Sequence, residues 1–280
     1  MTKRRIDLHD IRGQEHIKRG IEVACAGGHN VLLIGPPHSG KTMMARCVPS
    51  LLSAEKLPFV KPKVGCNETE IIEACKEATR GVLYLDSLID HRRSCVELLR
   101  QPMEDKEIRV AKVSGTETYE TDFMLIASMS PCPCGYFTDP KHECNCSPFH
   151  IQRYLSRVSG PILDLIDIHL EVPRLNLEHL SDKRCGEFSE EIRKRVAEAR
   201  AKGLSSRLTT QEIENVCKLD KEADELLKLA ILELGISARA YDKILKVAST
   251  IAALDATGVI QAHHISEAIS YRSLDRNLWG

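Results

Sequence analysis

The sequence predicts an α/β domain built on a parallel sheet, followed by an all-helical domain. Three observations carry this. Four apolar runs of strand length, VLLIG (31–35), GVLYLD (81–86), FMLIASM (123–129) and IHLEV (168–172), alternate with helical patterns, as buried parallel strands do. The first run leads into GPPHSGKT (35–42), a glycine-containing loop at the start of a helical stretch. After Pro173 the strand pattern stops, and residues 189–202, 209–217, 220–234, 237–254 and 262–272 all read as helices. The boundary falls between residues 175 and 205; set at 180, it gives an α/β domain over 1–180 and a helical domain over 181–280.

The elements follow in order. Residues 14–27 form a helix with Ile17, Ile21 and Ala24 on one face, closed by Gly27-Gly28. Helical patterns run near 41–53 and 68–79, and another near 91–101 ends at Pro102, where the ring blocks continuation. Residues 107–121 alternate in strand fashion around Ser114-Gly115, which predicts a hairpin. There is no fixed-period repeat and no low-complexity tract.

With 280 residues, the chain is long enough for one large or two ordinary domains, each with a core. A formal net charge of −1 gives no bulk field favouring nucleic acid or an acidic substrate, and leaves a local basic patch open. The basic N-terminus, MTKRRIDLHD, has no apolar run after it and is not a signal peptide. No stretch approaches the ~18 apolar residues of a membrane span. Seven of the 11 cysteines are scattered through apolar or helical contexts, which implies reduced thiols in the cytoplasm rather than a disulfide framework.

GPPHSGKT fits G-x-x-x-x-G-K-[ST] in full, in the strand–loop–helix setting the motif needs. Gly35 and Gly40 allow a tight turn whose N–H groups face phosphate oxygens, and Pro36, Pro37, His38 and Ser39 complete it. The helix N-terminus adds partial positive charge. Lys41 brings an ammonium to the β- and γ-phosphates, and the Thr42 hydroxyl can ligate magnesium. Asp86 ends the second strand, at the edge where open α/β sheets bind ligands. It is a candidate for holding a magnesium water shell, or for capping the next helix.

PCPCGYFTDPKHECNCSP (131–148) holds Cys132, Cys134, Cys144 and Cys146 as two C-x-C pairs. Four thiolates this close can close a tetrahedral zinc site, with His142 as a substitute ligand. Free thiols or a disulfide are the alternatives. Four thiolates leave no open position, so the metal would be structural.

Together these stretches resemble the AAA+ ATPases of the magnesium-chelatase-like group, in the ComM/YifB family. The likeness rests on DIRGQEHIKRGIEVACAGGHNVLLIGPP, LRQPMEDKEI, MSPCPCGYFTDP with CNCSP, RYLSRVSGPILDLIDIHLEVP, and SARAYDKILKVASTIAALD with HISEAISYRSLDR, which span almost the whole chain. The resemblance implies a P-loop NTPase domain followed by an all-α lid, binding ATP or ADP with Mg2+, and a metal in the cysteine loop. It makes Asp86 the Walker B carboxylate and Arg239, in SARAY, the sensor-2 arginine. It also implies ring-forming self-association and, through the family's branch-migration role, DNA as a partner. The family carries a further domain ahead of this core, and the sequence opens at the core, so the expectation is that this domain is missing.

The departures from the family pattern bear on catalysis. Asp86-Ser87 stands where the family has Asp-Glu, Ser130 replaces the sensor-1 asparagine, and Leu165 replaces an arginine that in related rings reaches the neighbouring subunit. The stretch between the phosphate loop and Asp86 is shorter than the family norm. Hydrolysis needs an oriented water and positive charge at the transferring phosphoryl group, and serine and leucine supply neither. The expectation is nucleotide binding with weak or absent hydrolysis, in a nucleotide-gated scaffold. The alternatives are an active ring motor on DNA and a chelatase-type protein remodeller. Asp90 or Glu68 could replace the missing carboxylate, and Arg153 or Arg157 the finger. Interleaved Glu190, Glu191 and Glu198 make the basic helix 189–202 a solvated face rather than a nucleic-acid surface.

Overall fold

A computed structural model of the chain describes residues 6–112, 115–137, 139–175, 186–203, 208, 212, 218–234 and 237–272. Five strands form one parallel sheet in the order β2-β3-β6-β1-β7. They are β1 (Val31–Ile34), β2 (Phe59–Val60), β3 (Val82–Leu85), β6 (Met124–Met129) and β7 (Ile168–Glu171). The four apolar runs are thus the four inner and outer strands expected, and β1, β3 and β6 are buried along their whole length. The two-residue edge strand β2 escaped the sequence reading because it is too short to show a period. Strands β4 (Glu107–Lys112) and β5 (Gly115–Glu120) form the expected antiparallel hairpin, apart from the main sheet.

Helices α1 (Glu15–Gly27), α2 (Lys41–Leu52) and α3 (Glu68–Glu77) match the periodic segments. Ile17, Ile21 and Ala24 are buried, and α1 closes on Gly28 in the left-handed conformation. One expectation is corrected. Residues 91–101 do not form a single helix ended by Pro102; they form α4 (Arg93–Glu97) and α5 (Arg100–Glu104), with Pro102 inside the second. A proline is tolerated in a helix's first turn, where its missing N–H had no partner anyway. Short helices α6 (Pro148–Leu155) and α7 (Gly160–Leu163) lead into β7.

Beyond β7 the described elements are all helical: α8 (Ser189–Ala201), α9 (Lys221–Leu234), α10 (Ala238–Leu254) and α11 (Ala262–Ser270). Of the helix expected at 209–217, all but residue 212 lies outside the described residues. Helix α8 packs on α1 and α2, and α10 packs on α1. One face of the sheet shares an apolar core with these helices, including Leu33, Val48, Val196, Ile244 and Ile251. The other face forms a second core with α3 to α7, including Leu32, Leu83, Ile71 and Ile162.

The helical segment is fastened to the sheet by buried polar groups at the strand ends opposite the phosphate loop. Asp167, just before β7, accepts from Lys243 Nζ of α10 at 2.6 Å and from the Asn30 backbone N–H at 2.9 Å. His29, fully buried, pairs through Nε2 with Thr250 Oγ1 of α10 at 2.9 Å. Burial pulls the His29 imidazole down to about 4 despite the nearby Asp167. Asp167 stays well below the usual carboxylate range: burial opposes ionisation, but Lys243, His29 and the Asn30 N–H outweigh it.

Candidate nucleotide-binding site

Residues 35–42 form a loop between β1 and α2, at the carboxyl edge of the sheet. Gly35 passes so close to the Val172 carbonyl that a Cβ would lie 2.1 Å from its oxygen; no larger residue fits there. His38 and Gly40 take left-handed backbone, and Gly40 is the N-cap of α2. Lys41 Nζ donates to the carbonyls of Gly35 and Pro36, both at 2.7 Å. Burial lowers its ammonium to about 8, opposed by Asp86. The loop opens on a cavity of about 610 Å³ whose far wall is Asp86, Ser87, Ser128 and Ser130. That volume lies within the ~300–1,000 Å³ of small-molecule sites.

Asp86, at the end of β3, anchors a network across three strands. Its Oδ1 accepts from Ser128 Oγ of β6 at 2.9 Å and from the Tyr84 hydroxyl at 3.1 Å. Its Oδ2 accepts from Lys61 Nζ at 2.6 Å. The Tyr84 hydroxyl also meets Thr42 Oγ1 at 3.0 Å. With the Tyr84 proton directed to Asp86, Thr42 donates to the tyrosine oxygen. Burial opposes ionisation of Asp86, but the hydrogen bonds from Lys61, Ser128 and Tyr84 together hold its carboxyl below the ordinary value.

The structure therefore brings Gly35 to Thr42 together with Asp86. It does not bring Arg239 to them: Arg239 sits exposed at the start of α10, in an ion pair with Asp164 Oδ2 at 2.8 Å, and is not among the cavity's lining residues. Among the described residues, Asp86 is the only carboxylate lining the cavity; Asp90, Glu68, Arg153 and Arg157 are not among its lining residues. Ser87 adopts a left-handed conformation, and Leu165 packs against the second core.

Sequence reasoning missed Tyr84, Ser128 and Lys61. Two were findable. Tyr84 and Ser128 each lie two residues before positions already singled out, Asp86 and Ser130, and strand period two puts such pairs on one face. Lys61 carries no signal, because it follows the unrecognised β2.

The cysteine loop gathers its four sulfurs. Cys132 Sγ lies 3.3 Å from Cys134 and 3.7 Å from Cys144, and Cys134 lies 3.6 Å from Cys144. Cys146 Sγ is within 4.8 Å of the others. Thiolates at ~2.3 Å from a tetrahedral zinc stand ~3.8 Å apart, so these residues fit one. His142 is not among them; it faces Asp139 at 3.3 Å and stacks on Tyr136. Arg174 also holds Asp139, at 2.8 Å, and this ties the loop to the segment after β7. Of the scattered cysteines, Cys25, Cys47, Cys66, Cys75 and Cys95 are buried and free, and Cys185 and Cys217 lie outside the described residues.

A second cluster, Asp255, His263 and His264, does not fit a metal. The Gln261 N–H donates to His264 Nδ1 at 2.9 Å, which places the ring proton on Nε2, facing Asp255 at 3.4 Å. Arg19 already neutralises Asp255 at 3.2 Å.

A phosphate loop after a central parallel strand, an aspartate ending another strand of the sheet, and helices beyond define a nucleotide-binding module of the AAA+ type. The sequence profile described as "Magnesium chelatase, subunit ChlI" matches residues 7–59 and 61–180, and its C-terminal companion matches 186–272. The chain belongs to this magnesium-chelatase-like family, in its ComM/YifB branch. It is 36% identical to YifB of Escherichia coli over 97% of this chain and 61% of that protein. It is 35% identical to the competence protein ComM of Haemophilus influenzae, over 99% of this chain and 62% of that one. A third relative, Rv2897c of Mycobacterium tuberculosis, is 32% identical over 95% and 61%. The chain thus spans about three fifths of the length of the curated relatives it matches. No helix among the described residues is long and apolar enough to cross a membrane.

Proposed function

We propose that the chain is an ATP- or ADP-binding module that hydrolyses nucleotide weakly or not at all, and that bound nucleotide sets its assembly with itself or with partners. One observation carries this reading: the phosphate loop is complete, while among the described residues Asp86 is the only carboxylate lining the cavity. Binding needs the loop's N–H groups, Lys41 and the helix N-terminus. Turnover needs in addition a group that orients water and a cation on the transferring phosphoryl, the latter worth ~10³–10⁵ in rate. Ser87 and Ser130 cannot replace the first, and Leu165 cannot supply the second.

In this reading residues 1–180 bind nucleotide, 181–280 form the lid, and Arg239 is the lid group that senses the γ-phosphate after leaving Asp164. The four cysteines hold a structural zinc that fixes a loop with little apolar core of its own. A DNA-driven ring motor is the second reading, favoured by the likeness to a competence protein. Two cations of α8 do not advance it: Arg195 pairs with Glu22 at 2.7 Å and with Glu187, and Arg193 bonds the Ser50 carbonyl.

The test is paired: ATP and ADP affinity by titration calorimetry, and phosphate release over hours, with Lys41→Ala as control. Binding without release above the control supports the scaffold. Lys41-dependent release, stimulated by DNA, would overturn it in favour of the motor.

A further inference from the structure

The cation at Asp86 belongs to the chain itself. Lys61 follows the edge strand β2, whose Phe59 and Val60 pair in parallel with Val82 and Leu83 of β3. That register carries Lys61 alongside Tyr84, with its ammonium 5.5 Å from the ring centroid and 2.6 Å from Asp86 Oδ2. Backbone pairing, and not only a long side chain, therefore aims this charge. A carboxylate offers about four acceptor positions, and three at Asp86 are engaged by Lys61, Tyr84 and Ser128. Magnesium at phosphate sites keeps several waters and is held through one or two carboxylates. Here the one carboxylate is largely spoken for, and Ser87 beside it offers no second.

Charge counting points the same way. Among the described residues, Lys41 in the cavity wall and Lys61, paired with Asp86 from beside it, set two ammonium groups against one lining carboxylate. The site is net positive without a divalent ion, and a free polyphosphate meets a complementary field. A second carboxylate beside Asp86 would cancel that charge and leave a polyphosphate more dependent on a divalent cation.

We propose that Lys61 takes the electrostatic place of the divalent cation at this site, so that the chain binds nucleoside di- and triphosphates as free anions, with an affinity nearly independent of magnesium. This rests on the nucleotide-binding reading above, and it makes Lys61 a specificity-determining residue.

The experiment measures ATP and ADP affinity by calorimetry, in excess magnesium and in excess EDTA, for the wild type, Lys61→Met, Lys61→Arg and Lys41→Ala. The wild-type affinities should agree within about threefold, well short of the tenfold that 1.4 kcal/mol represents. Lys61→Met should lose about tenfold in EDTA and recover most of it in magnesium, whereas Lys61→Arg should behave as wild type. Circular dichroism checks that each variant folds; Lys61 is partly exposed, so little change is expected. A wild type that binds tenfold or more tightly with magnesium would overturn the proposal and leave nucleotide binding standing, as would a Lys61→Met variant with the wild-type ratio. No binding in either condition would overturn both.

Discussion

Gly135 of the cysteine loop lies directly against Pro37 of the phosphate loop: a Cβ at 135 would stand 2.8 Å from Pro37 Cδ, at a backbone φ of +84°. The cysteine loop and the phosphate loop therefore pack closely together at this point, with no room for a side chain between them. Gly135→Ala adds a clash to a left-handed backbone, which costs ~1–3 kcal/mol. Nucleotide affinity should fall about tenfold, the lower half of that range expressed as binding, with metal content unchanged. Calorimetry and metal analysis on the same sample test this; full affinity in the variant would show the two loops to be independent.

The cysteine loop should carry one zinc per chain, visible by native mass spectrometry. Structural zinc contributes ~10–16 kcal/mol of apparent binding free energy in small domains. Its removal by chelator, or Cys144→Ser, should open 131–148 to proteolysis, beginning beside the exposed Phe137. A loop equally resistant with and without metal would refute a structural role.

Lys243 and Asp167 form a buried pair, with side chains 14% and 10% exposed. Removing one partner of such a pair strands the other charge and costs ~3–5 kcal/mol. Lys243→Met should lower stability by that amount in urea denaturation. Adding Asp167→Asn should restore part of it, because the stranded charge is then gone. Additive losses in the double variant would contradict the pairing.

Acid should weaken the fold in a defined window. His29 titrates near 6.5 when unfolded and is lowered to about 4 when folded. Between these values the unfolded chain binds the extra proton, so stability falls as pH drops from 6.5 towards 4 and is unaffected by this group above 6.5. One such histidine costs ~1.4 kcal/mol at pH 5.5. His169 and His91 are lowered too, also by burial, and add in the same direction. His29→Gln should reduce the difference between denaturation midpoints at pH 7.5 and 5.5 by its share; an unchanged difference would assign the loss to other groups.

Much of this architecture is legible in the sequence, for physical reasons that differ by element. The strands of the sheet interior are almost wholly apolar, since both faces are covered, and so VLYL and MLIASM announce themselves. GPPHSGKT is legible because phosphate binding demands glycine where no side chain fits. Pro102 misled because a proline marks a helix start as readily as a helix end. Lys61 stayed hidden because its position depends on pairing between β2 and β3, and a two-residue strand leaves no periodic trace. The ion pair of Arg239 with Asp164 spans 75 residues, and no local pattern encodes such a contact.

The buried fastening of α10 has a mechanical consequence. Arg239 and Lys243 are four residues apart on one helix, a single turn or ~6 Å of rise, and Lys243 is the point held by Asp167. A lever whose fulcrum sits beside its load moves that load very little. The far end of the helix is held as well, through Thr250 and His29, so the arginine's backbone stays in place. An arginine one turn from such a fixed point can reach a partner other than Asp164 only by turning its own side chain, not by riding on the helix.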